Sequence, residues 1–251
     1  MKPRVALHWF RRDLRLEDNH GLYRALSEHE QVLPLFIFDT TILDKLEDKH
    51  DRRVDFIHHT LTDLHQRLVE VGSGLHVEHG RPLDVWKRLL GTFDVTAVVV
   101  NHDHEPYGIA RDNEITALVK AHGIPFRSFK DISIFERSEI TKDDGLPYTV
   151  YTPYMRKWRD RFLPGSAAAF PSEKHLQALW KHPPRDVPSL VDIGFNKTDL
   201  VLPDTLLTDD LLRNYPLTRD LPGVEGTSNM STHLRFGTVS VRDLVRRSVE
   251  L

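Results

Sequence analysis

The sequence of 251 residues contains no cysteine. This absence excludes disulfide bonds, thiolate catalysis and cysteine-based zinc sites, and it fits a protein of the reducing cytoplasm. The N-terminus, M-K-P-R-V-A-L, lacks the apolar core of a signal peptide, and no apolar run approaches the length needed to cross a membrane. We therefore expect a cytoplasmic protein that has no membrane partner.

The sequence also lacks an excess of charge of one sign. Charged residues make up 28% of the chain, yet the net charge is only −3, so binding to nucleic acid would need a local basic patch. No G-x-G-x-x-G follows the first apolar run, which argues against an ordinary dinucleotide site.

The string His102-Asp103-His104-Glu105 suggests a metal site, because imidazole and carboxylate groups are common metal ligands. In an extended segment, however, the two histidines point to one side and the two carboxylates to the other. The sequence has no H-E-x-x-H motif and no cysteine to complete a site. We predict no metal site.

Apolar runs alternate with helical patterns in the first half of the chain. Helical spacing of apolar residues is clear over Arg53 to Val71 and again over Asn113 to Ala121. The run T-A-V-V-V-N is continuous and β-branched, which is typical of a central parallel strand covered on both faces. These patterns predict an α/β fold with a doubly wound, five-stranded parallel sheet that ends near Asp131. Its strands are expected at Val5–Phe10, Val32–Phe38, Gly74–Glu78, Val95–Val100 and Ile124–Phe129.

The second half of the chain is poorer in periodic patterns. Prolines are frequent between Phe162 and Thr205, which indicates an ordered or semi-flexible connector over the surface. Short helices are expected at Pro153–Phe162, near Thr205–Asn214, at Asn229–Phe236 and at Val239–Glu250. The last of these is amphipathic, with apolar residues along one side.

A basic and aromatic cluster lies in the helix predicted at Pro153–Phe162. Interleaved basic and aromatic side chains can bind single-stranded nucleic acid through phosphate contacts and stacking. The spacing of four residues between Tyr154, Trp158 and Phe162 favours another interpretation, in which these rings enter the core and the basic side chains face solvent.

A further candidate site follows Gly226. Thr227, Ser228 and Ser231 introduce the helix predicted at Asn229–Phe236. Hydroxyl groups and free backbone N–H groups at a helix start can bind an anion. Serine and threonine are also common as ordinary N-caps, so these residues alone leave both interpretations open.

Four motifs occur in a fixed order along the chain. They are W-F-R-R-D-L-R-L-x-D-N from Trp9, N-H-D-H-E-P-Y-G-I-A-R-D from Asn101, Y-T-P-Y-M-R-K-W from Tyr151, and Y-P-L-T-R-D-L-P-G-V-E-G-T-S-N-M-S from Tyr215. In all four the chain resembles the DNA photolyases and cryptochromes. The resemblance runs from about Val5 to the last residue. It implies a Rossmann-like antenna domain, a connector and the first helices of an all-α FAD-binding domain.

The resemblance implies FAD as the cofactor, held through its diphosphate and ribityl part. The residues implied for this role are Tyr215, Thr227, Ser228, Asn229, Met230 and Ser231. It also implies that Arg219, in the same motif, contacts damaged DNA near the flavin cavity. The rest of the FAD-binding domain, with the groups that contact the lesion, would follow Leu251 in such a protein.

The resemblance further implies a light-harvesting antenna chromophore. Asp103 and Glu105 resemble the acidic pair of members that use a flavin or a deazaflavin. Folate-using members carry an Asn-Glu pair where this chain has Tyr107 and Gly108, so a folate fits less well.

The antenna is expected in the crevice where the strand order of the sheet reverses. The loop at Arg11–Arg15 would supply cations to this crevice, and the loop at Asn101–Tyr107 would supply carboxylates. The alternative is that these opposite charges simply pair with each other across the crevice.

These implications divide the chain into an antenna domain at 1–131, a connector at 132–204 and the beginning of the FAD-binding domain at 205–251. The implied activity is light-driven repair of pyrimidine dimers in DNA, with damaged DNA as the partner. The alternative is a cryptochrome-type blue-light photoreceptor that has the same flavin but performs no repair. We expect a monomer that is inactive as an enzyme by itself, because only part of the FAD site is present.

Overall fold

The computed structural model of the chain describes residues 2–202, 204–205 and 207–250. Residues 203, 206 and 251, which fall in the predicted connector and FAD-binding segment, lie outside the described residues. The centre of the molecule is one sheet whose strands are β1 (Arg4–Phe10), β2 (Val32–Asp39), β3 (His76–Gly80), β4 (Asp94–Asn101) and β5 (Phe126–Phe129). All neighbouring strands are parallel, and their order is β3-β2-β1-β4-β5.

This strand order confirms the predicted doubly wound α/β topology. The strands agree with their predicted bounds to within two residues at each end. From β1 the chain first extends the sheet through β2 and β3, and then crosses back to add β4 and β5 on the other side. The carboxyl ends of β1 and β4 therefore lie next to each other, at the point where such sheets form a ligand crevice.

Helices cover both faces of the sheet because its strands are apolar on both sides. The helices of this part are α1 (His20–Glu28), α2 (Thr40–Leu43), α3 (Arg52–Glu70), α4 (Pro82–Thr92) and α5 (Pro106–Ala121). Leu22 of α1 and Leu61 of α3 belong to the core on one face. Trp86 of α4 and Ile115 of α5 belong to the core on the other face. We call residues 2–131 the α/β unit.

Helix α5 begins at Pro106, seven residues before the predicted start at Asn113. Its first turns carry exposed or polar side chains, so the apolar pattern is visible only in the later turns. Proline suits the first helical position because the N–H that it lacks would have no partner there.

The connector is ordered against the α/β unit. The backbone N–H of Trp180 donates to the carbonyl oxygen of Val32 at 2.8 Å, and the N–H of Asn196 donates to that of Lys49 at 2.7 Å. Leu179 is buried in the core of the sheet. This proline-rich stretch therefore extends the core, although it contains little regular secondary structure.

Among the described residues, four α-helices follow β5: α6 (Tyr151–Arg161), α7 (Asp209–Thr218), α8 (Ser231–Phe236) and α9 (Val241–Glu250). The prediction that the rings of Tyr154, Trp158 and Phe162 enter the core is wrong, because no residue of α6 is buried and Phe162, which follows it, is only half-buried. Tyr154 is 36% exposed. Trp158 and Phe162 stack on each other at 5.1 Å between ring centroids, and both are half-buried.

Over the described ranges, no helix combines the length and the apolar composition that crossing a membrane would require.

Candidate functional site

The loops that follow β1 and β4 meet at a buried polar network. The side-chain amide of Asn101 donates to Oδ2 of Asp13 at 2.7 Å, and the backbone N–H of Arg11 donates to Oδ1 at 2.8 Å. Nε2 of His8 lies 3.6 Å from Oδ2 of the same carboxylate. Burial alone would raise the pKa of Asp13, but His8 and Arg11 together hold it below its usual range.

The arginines of the first motif are engaged in the same region. Nη1 of Arg11 donates to both carboxylate oxygens of Asp112, at 2.8 and 3.0 Å, and Nη2 donates to the carbonyl oxygen of Asn101. Nη2 of Arg15 donates to both oxygens of Asp131 at 2.8 and 2.9 Å. Burial lowers the pKa of Arg11. These two guanidinium groups therefore join loops of the protein.

Asp103 and Glu105, the predicted antenna pair, lie at the mouth of this crevice and face arginines. Nη2 of Arg111 donates to Oδ2 of Asp103 at 3.2 Å. Arg12 and Arg235 donate to Oε1 of Glu105 at 3.1 and 2.5 Å. The alternative that the loop charges pair across the crevice thus describes Glu105, whereas Asp103 bonds to Arg111 of α5 and lies 4.0 Å from Arg12. Glu105 also connects two distant parts of the chain, since Arg235 belongs to α8.

Gly108 explains how Asp103 reaches its position. A Cβ atom at residue 108 would lie 2.3 Å from the carboxylate of Asp103, far inside van der Waals contact. A side chain at position 108 and the present position of Asp103 therefore exclude each other.

The neighbouring Tyr107 closes the side of the crevice that faces β2. Its hydroxyl donates to Oδ2 of Asp39 at 2.5 Å. Burial and this carboxylate raise the pKa of Tyr107 to about 12, so its hydroxyl keeps its proton at neutral pH.

His102 and His104 point to the same side, as the extended segment predicts. Nδ1 of His102 lies 2.6 Å and Nε2 of His104 lies 3.2 Å from the carboxylate of Glu136. Within the part of the chain that the structure describes, no group of three or more histidine or acidic side chains is arranged to hold a metal ion.

The predicted FAD residues come from the end of α7 and the start of α8. Thr218 connects the two, because its hydroxyl donates to the carbonyl oxygen of Gly226 at 3.3 Å. Tyr215 lies one helical turn before Thr218, and Thr227 directly follows Gly226, so the tertiary structure brings both ends of the motif together. The side chain of Tyr215 is 44% exposed, whereas Met230 is buried.

Helix α8 begins at Ser231, two residues later than predicted, because Asn229 has a left-handed backbone with φ of 52°. The N-cap residue is Met230, which provides no side-chain hydrogen bond to the helix. The hydroxyls of Ser228 and Ser231 form no hydrogen bond with the described residues. They therefore do not act as N-caps, and they remain available to a ligand.

Arg219, the predicted DNA contact, ends α7 on the surface. Its side chain is 55% exposed, and its Nε lies 3.5 Å from Asp220. It follows Tyr215 by four residues, so the two side chains lie on the same side of α7.

A second polar network, which sequence analysis did not find, holds α9 on the α/β unit. Nε of Arg242 donates to Oδ1 of Asp18 at 3.0 Å, and its Nη2 donates to Oδ1 of Asp131 at 2.8 Å. Arg246 and Ser240 donate to the other oxygen of Asp18 at 3.1 and 2.8 Å. Helix α9 thus packs through its polar side, and the apolar pattern that predicted the helix gave no signal for this contact.

Gly237, between α8 and α9, also packs against the α/β unit. Its φ of 65° is left-handed, and a Cβ atom here would lie 2.1 Å from the carbonyl oxygen of Arg12. The N–H of Leu14 donates to the carbonyl oxygen of Phe236 at 3.1 Å. The backbone of residues 236–237 therefore lies directly against the first motif.

Comparisons with known proteins agree with the sequence motifs. The chain is 34% identical over 261 residues to a deoxyribodipyrimidine photo-lyase of Halobacterium salinarum, with 95% of this chain and 53% of that protein covered. It is similar in structure to a bacterial class III photolyase from Agrobacterium tumefaciens, with a TM-score of 0.79, 25% identity and coverage of 98% and 53%. An archaeal photolyase from Sulfolobus tokodaii, solved with two FAD molecules, gives a TM-score of 0.71 at 25% identity and coverage of 97% and 54%.

The chain therefore spans about half the length of these photolyases. Residues 6–174 match the DNA photolyase family, a stretch that contains the first three motifs. Since this match covers more than half of the chain, the chain belongs to the DNA photolyase family.

Proposed function

We propose that this chain serves light-driven repair of pyrimidine dimers in DNA, as part of a flavin-dependent photolyase. Its family membership and its photo-lyase relatives support this activity. The observation that carries the proposal is the exposed segment at Tyr215 and Thr227–Ser231. There, the hydroxyls of Ser228 and Ser231 are not needed by the helix, and the hydrogen bond from Thr218 to Gly226 joins this segment to the end of α7, which carries the half-exposed ring of Tyr215.

The donor groups of this segment suit the diphosphate of FAD. Phosphate oxygens accept hydrogen bonds from hydroxyl and backbone N–H groups, and such bonds to a charged acceptor are stronger than neutral ones. Thr227, Ser228 and Ser231 would donate to the diphosphate, while the backbone near Asn229 and Met230 would shape the segment around it. When bound, reduced FAD would supply the electron that splits the dimer.

The same side of the chain offers cations for DNA. We assign Arg219 to a phosphate of the damaged strand, because its guanidinium is exposed at the end of α7. The basic side chains of α6 are also exposed, so this helix provides a local basic patch that the net charge of −3 does not reveal.

For the antenna we propose a flavin or deazaflavin, rather than a folate, at Asp103 and Glu105. Gly108 leaves no space for a carboxylate side chain beside Asp103, which supports this preference. A chromophore would have to displace Arg111 or Arg12 from these carboxylates. Titration with flavin mononucleotide, a deazaflavin and a reduced folate tests the assignment. Tight binding of the folate alone, or equal binding by Asp103→Ala, would contradict it.

The activity is tested in the organism that carries the gene. Cells with the gene disrupted are irradiated with ultraviolet light and then kept either in blue light or in the dark. We expect them to lose the survival that light restores, and to regain it when the gene is returned. Undiminished light-dependent survival together with an altered blue-light response would instead support the photoreceptor alternative.

The FAD assignment is tested on the chain itself. The candidate residues form an open surface, whereas cofactor sites enclose most of their ligand, so we expect the 251-residue chain to be purified without stoichiometric FAD and to bind added FAD weakly. The double variant Ser228→Ala, Ser231→Ala should weaken FAD binding about tenfold or more, because each hydrogen bond to a charged group contributes about 1.5–3 kcal/mol. Ser248→Ala on α9, whose hydroxyl donates to the carbonyl oxygen of Leu244, is the matched control. Equal affinities of the two variants would contradict the assignment.

A further inference from the structure

A cavity of about 570 Å³ lies away from the switch-point crevice, between the end of β5 and α9. Its volume falls in the range of small-molecule sites. The residues that line it come from four separate stretches of the chain, which include the start of α1, the end of α6 and the connector. No contact described above for FAD or the antenna uses it, and Arg161 is the one basic residue of α6 that lines it.

The walls of this cavity carry more positive than negative charge. Three basic side chains line it, together with one carboxylate. Lys130 donates to both oxygens of Glu139 at 3.0 and 2.8 Å, and Arg242 is engaged by Asp18 and Asp131. Arg161, by contrast, is exposed and forms no hydrogen bond or ion pair with the described residues. An anionic group is therefore favoured beside Arg161 and Lys130.

The remaining wall is aromatic. Phe135 lies beneath both cations, with Nζ of Lys130 at 5.7 Å and the guanidinium carbon of Arg161 at 6.0 Å from its ring centroid. Phe170 stacks on His20 at 3.6 Å between ring centroids, with the rings 9° from parallel. The faces of Phe170 are covered by His20 and by the guanidinium carbon of Arg242, 5.1 Å from its ring centroid. A flat ligand ring would therefore contact the edge of Phe170 together with Phe135, an arrangement that aromatic rings favour.

His20 adds a hydrogen-bonding group. Its Nδ1 lies 2.9 Å from the carbonyl oxygen of Lys130, which can only accept, so Nδ1 carries the proton and donates. Burial lowers the pKa of His20, which keeps the ring neutral at neutral pH. Nε2 is then an acceptor, and it suits an N–H group on a ring.

We propose that this cavity binds a mononucleotide. The phosphate lies at Arg161 and Lys130, and the base lies against Phe135 and Phe170. This site is independent of the proposed FAD segment, because the two share no residue.

The test is a calorimetric titration of the 251-residue chain with adenosine monophosphate at pH 7.5, with adenosine and ribose 5-phosphate as partial ligands. We expect saturable binding of one equivalent of the nucleotide, and weaker binding of each partial ligand by about tenfold or more. Arg161→Ala should weaken nucleotide binding about tenfold, as the loss of one charge-assisted contact does. Arg159→Ala removes an exposed arginine of the same helix that does not line the cavity, and it should change the affinity less than twofold.

Amide chemical shifts on nucleotide addition locate the site, because Gly165 and Ser166 line the cavity. Shifts there, unchanged in the Ser228→Ala, Ser231→Ala variant, would support the proposal. Three results would overturn it: no saturable binding at nucleotide concentrations up to ~5 mM, which corresponds to less than about 3 kcal/mol of binding free energy; equal losses in the two arginine variants; or binding that is abolished by the double serine variant or by Asp103→Ala while Arg161→Ala has no effect.

Discussion

The α/β unit and the C-terminal segment, which we define as residues 207–250, are held in place by different interactions. Strand β2 is buried along its whole length, and β1 is buried except for Arg4. In the C-terminal segment, α7 has no buried residue, and the only buried residue of α9 is Arg242. The sheet thus rests on apolar burial over two faces, whereas α9 rests mainly on ion pairs, and α8 combines close backbone contacts with the packing of Phe236 against the core.

This difference has energetic consequences. Apolar burial depends on area and tolerates small changes in geometry. A buried ion pair stabilises only when its partners are complete, because removal of one partner leaves an uncompensated charge away from water. We therefore expect single polar substitutions to detach α9 while the sheet stays folded.

The largest effect is expected from Arg242→Ala. This change leaves the buried carboxylate of Asp18 with only Arg246 as a charged partner, and it should weaken docking of α9 by about 3–5 kcal/mol. Hydrogen exchange should become fast in α9 and remain slow in β4. Arg213→Ala, an exposed residue of α7, serves as the control and should change neither. Equal acceleration in β4 and α9 would show that the two regions unfold as one unit.

A smaller effect is expected from Gly237→Ala. The added Cβ atom would collide with the carbonyl oxygen of Arg12 and occupy a left-handed backbone, and together these should cost roughly 2–4 kcal/mol of docking free energy. Gly123→Ala is the matched control, because its φ of 73° is also left-handed but nothing lies within 4 Å of the added atom. Limited proteolysis should cleave the Gly237 variant near α8 much faster than the control. A cleavage rate near α8 that is no faster than in the control would contradict a role for the contact with Arg12.

The smallest effect is expected from mild acid, and it concerns the α/β unit instead of the C-terminal segment. Burial lowers the pKa of His65, and its Nδ1 accepts the backbone N–H of Leu75 at 3.1 Å, which requires an unprotonated nitrogen. An unfolded histidine takes up its proton near pH 6.5. Below that pH the unfolded state therefore binds more protons, and the free energy of unfolding falls as pH falls towards the lowered folded-state pKa.

The polar network that holds α9 on the α/β unit loses its stabilising effect at a lower pH. Burial opposes ionisation of Asp18, but Arg242 and the other donors hold its pKa below the usual value. Its contribution to stability therefore persists above about pH 3.9, the ordinary value for aspartate, and is lost only in stronger acid.

The role of His65 is tested by urea unfolding at pH 7.5 and 5.5. The α/β unit should be less stable at pH 5.5, and the change should be smaller in His65→Gln. Exposed His50→Gln is the control. An unchanged pH dependence in the His65 variant would contradict this assignment.

The sheet could be predicted from sequence because each strand carries its own signal. Continuous apolar runs place β1, β2 and β4 to within one residue, since a strand covered on both faces must be apolar along its length. The edge strands β3 and β5 are partly polar, and their predicted bounds differ by up to two residues. The start of α5 was missed by seven residues because its first turns, from Pro106, face the polar crevice and not the core. Tyr154 was assigned to the core from its spacing, but spacing fixes only a common helix face and not whether another element covers it.

The candidate sites also divide into what local motifs predict and what only the folded structure shows. Motif resemblance identified Tyr215, Thr227–Ser231, Asp103, Glu105 and Arg219 as candidates, and their roles remain proposals. The pairing of Asp103 with Arg111, and of Glu105 with Arg12 and Arg235, could not be predicted, because the partners lie 8, 93 and 130 residues away along the chain.

The sequence by itself determined the family, the parallel sheet and the segments that carry the motifs, because apolar runs and short motifs are local properties of the chain. The tertiary structure alone decided which face of α9 packs inward, which arginines neutralise Asp18 and Asp131, and which hydroxyls remain unpaired. Those outcomes depend on contacts between residues more than one hundred positions apart. Such contacts leave no local pattern, since an ion pair requires only that two charges meet when the chain has folded.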